Sequence, residues 1–171
     1  MLGHTHAAAG LCAAAAVLAA LHAPLAQYPL ALAAGAAAAL VPDIDEPRST
    51  ISRRLIVVGP AVGSAVRHRT ATHSVAALVA LTLGLRGVWP GVPAPLLWSV
   101  AAGFASHLVT DALTPDGAMW FWPLAAWKVT FTGWMPHGLS RAFATGGRLE
   151  SVFWRPAFVL GALALTLTAA R

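Results

Sequence analysis

The sequence has 171 residues, 58% of them hydrophobic and only 10% charged. Soluble domains carry about 25% charged residues, so this chain lacks the polar surface of a water-soluble globule, and its hydrophobicity also excludes disorder. Eleven Lys+Arg against six Asp+Glu leave a formal charge of +5, with no basic stripe interleaved with aromatics, so no nucleic-acid partner is expected.

In chain order, apolar runs fall at residues 7–23, 25–41, about 74–89, 95–113 and 156–170. Each approaches the roughly 20 residues needed to cross about 30 Å of hydrocarbon. They predict an all-α, polytopic membrane protein: an antiparallel bundle of about five spans, forming a single integral-membrane domain over residues 1–171. His22-Ala23-Pro24 separates the first two runs, and residues 87–95 separate the next two. No Lys or Arg precedes Arg48, so the basic region of a cleaved signal peptide is missing and the first helix is expected to be retained. Cys12, in an alanine-rich run, reads as a small hydrophobe. Residues 118–134 set four tryptophans beside Pro123 and Lys128, a mixture suited to the membrane–water interface, and predict an interfacial or re-entrant segment.

Basic residues orient the bundle. Arg48, Arg53, Arg54, Arg67 and Arg69 crowd one loop, whereas the opposite side has only Arg86 and Arg171. Lys128, Arg141, Arg148 and Arg155 join the first side if residues 118–134 do not cross. The positive-inside rule then puts that loop, the N-terminus and the Trp-rich segment on the cytoplasmic side.

The scarce polar residues cluster. His4 and His6 open the first span, Asp43 and Asp45 close the second, His68-Arg69 and His73-Ser74 open the third, and Ser106-His107 with Asp111 close the fourth. Starts of odd helices and ends of even helices share one face of an up-down bundle, so all four clusters are expected to meet. Singly, each has an ordinary explanation: His107 and Asp111, four apart, share a helix face and suit a hydrogen-bonded pair, while Asp43 and Asp45 suit a helix end. Together, imidazoles and carboxylates at membrane depth call for a counter-cation, and this donor mixture binds divalent metals. The candidate ligands are His6, Asp43, Asp45, His68, His73, His107 and Asp111, more than one tetrahedral ion requires. Two or three ions with open positions suit phosphoester chemistry. Arg69 is a candidate for binding a phosphate or carboxylate, or simply a topological arginine. Asp116 reads as a turn former, and Glu150 as a helix-start carboxylate.

Several stretches look like one family. Thr5-His6-x-x-x-Gly10, Leu40-Val41-Pro42-Asp43-Ile44-Asp45, His68-Arg69-x-x-Thr72-His73-Ser74, Ser106-His107-x-x-x-Asp111-x-Leu113-Thr114-Pro115-x-Gly117, Trp122-Pro123 and Thr145-Gly146-Gly147-x-x-Glu150 resemble the YdjM family of predicted inner-membrane metal-dependent hydrolases. The resemblance runs from residue 5 to about 150, with Ala71 departing from a frequent glycine. More distantly, the order of ligand types is similar to that of zinc-dependent phospholipase C and related zinc nucleases, which cleave phosphodiesters. That likeness implies zinc ligands at His6, Asp43, His68 or His73, His107 and Asp111.

The sequence therefore predicts a multi-pass inner-membrane hydrolase with a divalent metal, zinc above all, at the cytoplasmic membrane face. Metal-activated water would attack a phosphoester, with lipid or a phospholipid-like molecule as substrate. Asp45 is the candidate general base, beside Arg69 as the second catalytic candidate; a homodimer stays open. The alternatives are a metal-binding or metal-transporting membrane protein without hydrolase activity, or a structural membrane protein.

Overall fold

The computed structural model describes residues 1–54, 69–136 and 140–169. Six α-helices carry the chain among them: α1 (Gly3–Ala20), α2 (Tyr28–Ala38), the short α3 (Thr50–Arg54), α4 (Val75–Val88), α5 (Ala94–Ala112) and α6 (Arg155–Ala169). No strand occurs among the described residues; Ala118 and Val129 form an isolated antiparallel bridge.

Local chemistry sets the helix ends. α1 is alanine-rich, the best helix former, and stops where His22 takes φ 48° ahead of Pro24. α2 and α5 each carry a proline in the first turn, where the missing N–H costs nothing. Ser74 caps α4 by accepting from the Ala77 amide at 3.1 Å. A π-helical turn, Glu150–Trp154, leads into α6.

α1 is the central helix and packs against α2, α5 and α6; α2 also packs against α5, and α4 leans on α5. The packing has three levels along the bundle axis. At one end Leu18, Tyr28, Ala31, Val92 and Leu96 form an apolar cluster. At the waist Gly10, Gly35 and Gly103 bring α1, α2 and α5 nearly backbone to backbone; a Cβ on Gly103 would land on the Gly35 carbonyl. Small residues at such crossings are what membrane helices use to gain contact. Almost all the buried polar side chains of the described residues lie towards the other end, with Ser99 the exception.

The lengths differ from the sequence expectation. Among the described residues, two helices are long and apolar enough to cross a membrane, Gly3–Ala20 and the continuous stretch Glu150–Ala169. The expected second run breaks into a 3-10 turn, Leu25–Gln27, then the 11-residue α2, then a second 3-10 turn, Val41–Asp45. Pro24 and Pro42 bracket it, and a helix cannot run through either without losing a backbone bond. α4 is likewise apolar but only 14 residues long, and α5 spends its last turns on His107 and Asp111. Residues 118–134 form no helix. They fold back over the polar end, where Phe131 N–H donates to the Ala112 carbonyl at 2.7 Å and Val75 N–H to the Trp120 carbonyl at 2.8 Å.

Candidate metal centre

The four predicted clusters meet at the polar end. The start of α1 supplies His6, the 3-10 turn after α2 supplies Asp43 and Asp45, the 3-10 turn Ala71–His73 supplies His73, and the end of α5 supplies His107 and Asp111. Asp43 and Asp45 stand on different sides of His73, one facing Nε2 and the other Nδ1.

The central feature is a set of four ligand atoms. His73 Nε2 lies 3.1 Å from His107 Nε2. Asp43 Oδ1 is 3.5 Å from His73 Nε2 and 3.6 Å from His107 Nε2. Asp111 Oδ2 is 3.6 Å from the first nitrogen and 3.5 Å from the second. Donors around a tetrahedral ion at about 2.0–2.1 Å stand roughly 3.3–3.4 Å apart, and the nitrogen–nitrogen and nitrogen–oxygen separations here lie close to that.

Proton positions support the same fit. His107 Nδ1 lies 2.7 Å from the Ala39 carbonyl oxygen, which only accepts, so Nδ1 carries the proton and Nε2 presents its lone pair. His6 Nδ1 lies 2.8 Å from Thr110 Oγ1, whose own hydrogen goes to the Ser106 or His107 carbonyl. His6 Nε2 is thus also left with a lone pair; it is buried without a hydrogen bond, 3.3 Å from Asp111 Oδ1. The His6 and His107 rings stack at 3.7 Å. A nitrogen lone pair facing a carboxylate oxygen in a dry site is unfavourable unless a cation lies between them. The Met1 α-ammonium reaches the same Asp111 oxygen at 2.7 Å. Two residue groups are therefore suited to an ion: His73, His107 and Asp43 in one, His6, His107 and Asp111 in the other.

The electrostatics agree. Burial by itself lowers the His73 pKa, but the adjacent Asp43 and Asp45 carboxylates, with Asp111, outweigh it and raise it to about 9. Asp43 is held below the usual carboxylate range: burial pushes it up, and the hydrogen bond from His73 and the nearby His107 and His6 more than offset that. Carboxylates outnumber cations around the imidazoles, so a proton on His73 occupies the role open to a metal.

Asp45, expected as a ligand and general base, stands one layer out. Its Oδ2 accepts from Thr72 Oγ1 at 2.5 Å and from the Arg69 amide at 3.3 Å, and lies 3.5 Å from His73 Nδ1. It is almost fully buried, on the side of the ring away from the ligand atoms. A carboxylate behind a ligating histidine fixes its tautomer and orientation. Arg69 departs from its expectation in a similar way. Its Nε lies 3.6 Å from Asp111 Oδ2, and its Nη1 lies 3.4 Å from Asp116 Oδ2 and donates to the Gly117 carbonyl at 3.4 Å. The guanidinium is already engaged by protein groups and steadies Asp111. Arg69 does so from a left-handed backbone, φ 62°, a conformation that costs a non-glycine residue energy and gathers at functional sites. Asp116 keeps its turn position and adds this ion pair. His68 lies outside the described residues.

Glu150 is buried but belongs to the backbone framework: its two oxygens accept from the Leu2 and Gly146 amides at 2.5 and 2.6 Å. The sequence reading did not single out the orienting hydroxyls of Thr72 and Thr110. Their adjacency to His73 and Asp111 was the available signal, but a threonine at a helix end has too many other uses to stand out. Asp43 is the partly open member of the four-atom set, 16% exposed, and borders a cavity of about 700 Å³ that Glu46 and Arg69 also line.

An all-helical fold with apolar helices and a buried His/Asp cluster at one end defines a membrane protein with a candidate metal centre. The chain belongs to the YdjM inner membrane protein family, whose model matches residues 1–171. It is 31% identical over 128 residues to the inner membrane protein YdjM of Escherichia coli (strain K12), covering 58% of this chain and 63% of the relative. A match of the same extent occurs to the protein of that name in Shigella flexneri. The uncharacterized protein YvsG of Bacillus subtilis (strain 168) is 34% identical over 96 residues, covering 55% of this chain and 58% of the relative. The chain thus spans about three-fifths of the length of these curated relatives. No solved structure matches it significantly.

Proposed function

We propose that this chain is a multi-pass membrane hydrolase that uses a divalent metal, zinc by its donor set, to cleave a phosphoester at the cytoplasmic membrane face. The observation that supports it is the meeting of His73, His107, Asp43 and Asp111 from three separate segments of the chain, with imidazole–imidazole and imidazole–carboxylate separations of 3.1–3.6 Å. A bound divalent ion supplies Lewis acidity, polarising a phosphoryl oxygen and acidifying water.

The protein's own groups do the rest. The Ala39 carbonyl and Asp45 hold the two ligating imidazoles in the tautomer that turns Nε2 inward. Arg69 helps hold Asp111 in place. His6 and Asp111, with His107, would hold a second ion. Asp43 connects the ligand set to the cavity. Asp45 is too enclosed to exchange protons with a substrate, so Glu46, which lines the cavity outside the ligand set, takes the base role.

Elemental analysis of the purified full chain tests this reading, together with turnover of a generic phosphodiester such as bis(p-nitrophenyl) phosphate. One to three ions per chain and metal-dependent turnover are expected, with both lost in His107→Ala. A chain that holds no metal, or a His107→Ala protein that keeps its metal and activity, would sink the proposal.

A further inference from the structure

The cavity beside the centre lies between the start of α1, the Val41–Asp45 turn and α3. Its wall has two characters. Arg48, Arg53, Arg54 and Arg69 line it against the two carboxylates of Asp43 and Glu46. Four guanidinium groups against two carboxylates leave an excess of +2 before any bound cation is counted. Arg69 is spoken for by Asp111 and Asp116. Among the described residues, the side chains of Arg48, Arg53 and Arg54 make no ion pair. The apolar part of the lining includes Leu2, Ala7, Leu40 and Ile51.

A topological arginine needs only to stay in water on the correct side of the membrane. It does not need to share a cavity with leucines and a candidate metal ligand. Guanidinium groups pair with phosphate oxygens through charge-assisted, often bidentate hydrogen bonds. Apolar side chains beside them have nothing to offer inorganic phosphate but do bind an acyl or isoprenoid chain. A volume of about 700 Å³ falls within the 300–1,000 Å³ range of small-molecule sites. The cavity also opens at the end of an apolar helical bundle, the depth at which lipid phosphates lie in a bilayer.

We infer that this cavity is the binding subsite for the phosphate of an anionic amphiphile. Arg53 and Arg54 of α3, with Arg48 before it, are its specificity-determining residues, and Leu2, Leu40 and Ile51 seat the first part of its chain. The inference rests on the hydrolase reading and names the substrate class of the same site. The arginines that orient the protein in the membrane thereby also select its ligand.

Calorimetric binding to the metal-loaded full chain in a neutral detergent tests this, using a short-chain phosphatidate, the matching neutral diacylglycerol and inorganic phosphate. The phosphatidate is expected to bind at least about tenfold more tightly than either of the others, since each lacks one of the two recognised parts. The double variant Arg53→Gln/Arg54→Gln is expected to weaken phosphatidate binding about a hundredfold, about tenfold per arginine, with metal content unchanged. Arg53→Lys/Arg54→Lys, which keeps both charges, is expected to recover part of that loss. Diacylglycerol binding as tightly as phosphatidate, or a Gln/Gln variant that binds like the wild type, overturns the role of the arginines. Inorganic phosphate binding as tightly as phosphatidate overturns the amphiphile and leaves free phosphate as the ligand. Binding is read as heat and metal content by elemental analysis, so the two readings fail separately. A metal-loaded chain that ignores phosphatidate removes the inference alone, whereas a chain with no metal removes the hydrolase reading.

Discussion

The two ends of this bundle are held together by opposite means. At one end Leu18, Tyr28, Ala31, Val92 and Leu96 interdigitate, and their stability comes from packing alone. At the other, three imidazoles and the carboxylates of Asp45 and Asp111 are buried among threonine hydroxyls, with Asp43 partly open beside them, an arrangement whose desolvation cost is offset by cations, the Met1 ammonium and Arg69 among them. Every acidic residue of the chain lies on segments at that second end. The glycine waist of Gly10, Gly35 and Gly103 joins the two ends, so the apolar end can act as a rigid foundation against which the polar end is strained. The lesson is that the polar end is costly as a structural device and makes sense as a binding one.

Removing one ligand gives the largest test of that contrast. Asp111→Asn is expected to abolish metal retention through dialysis, measured by elemental analysis, because one Asp111 oxygen faces His6 Nε2 and the other faces the Nε2 atoms of His73 and His107. If it keeps a full metal complement, the polar end is a structural network and the contrast collapses. Gly103→Ala acts on the waist instead. Its Cβ would collide with Gly35 backbone atoms, and the overpacking is expected to cost about 3 kcal/mol in denaturant unfolding in detergent, with or without metal. Leu18→Ala acts on the apolar end, where the side chain is fully buried. It is expected to cost about 2 kcal/mol and to leave metal affinity unchanged; a drop in affinity would show that the ends are coupled.

Smaller effects sharpen the polar end. Asp45→Asn removes the charge behind His73 and is expected to weaken metal binding about 10–100-fold while the fold persists, as read by competition with a chelator. The pH dependence follows from His73. Its pKa is raised to about 9 in the metal-free protein, so at neutral pH a metal must displace that proton. Metal affinity is therefore expected to rise by up to about tenfold per pH unit towards pH 9 and to level off above it. The sign for stability without metal is the reverse. A raised histidine pKa stabilises fully below the ordinary value of 6.5, and that stability is lost as pH rises through about 9. A metal affinity that is flat between pH 7 and 9 would exclude His73 as a ligand.

Much of the site was legible in the sequence because membranes make polarity conspicuous. His6, Asp43, His73, His107 and Asp111 stood out against an apolar background, and the alternation of helix starts and ends predicted that they would meet. What could not be read was the layering within the cluster. Asp43 and Asp45 look alike in the chain, two residues apart, yet one faces the ligand atoms and the other backs His73. Where His73 packs against the turn decides that, and the spacing along the chain does not carry it. Arg69 looked free to take a substrate and is instead paired with Asp111 and Asp116, across more than 40 residues of chain.

The sequence by itself determined the helical class, the membrane setting and the gathering of ligands at one face, since each follows from composition and from where apolar runs begin and end. Only the tertiary structure decided which runs are long enough to cross and which donors point inward. It also decided that the arginines of α3 share a cavity with Asp43. Those are matters of a few ångströms between segments far apart in the chain. They are set by the close approach of three glycines and by hydrogen bonds to Ala39, Thr72 and Thr110, neither of which has a signature along a single run of residues.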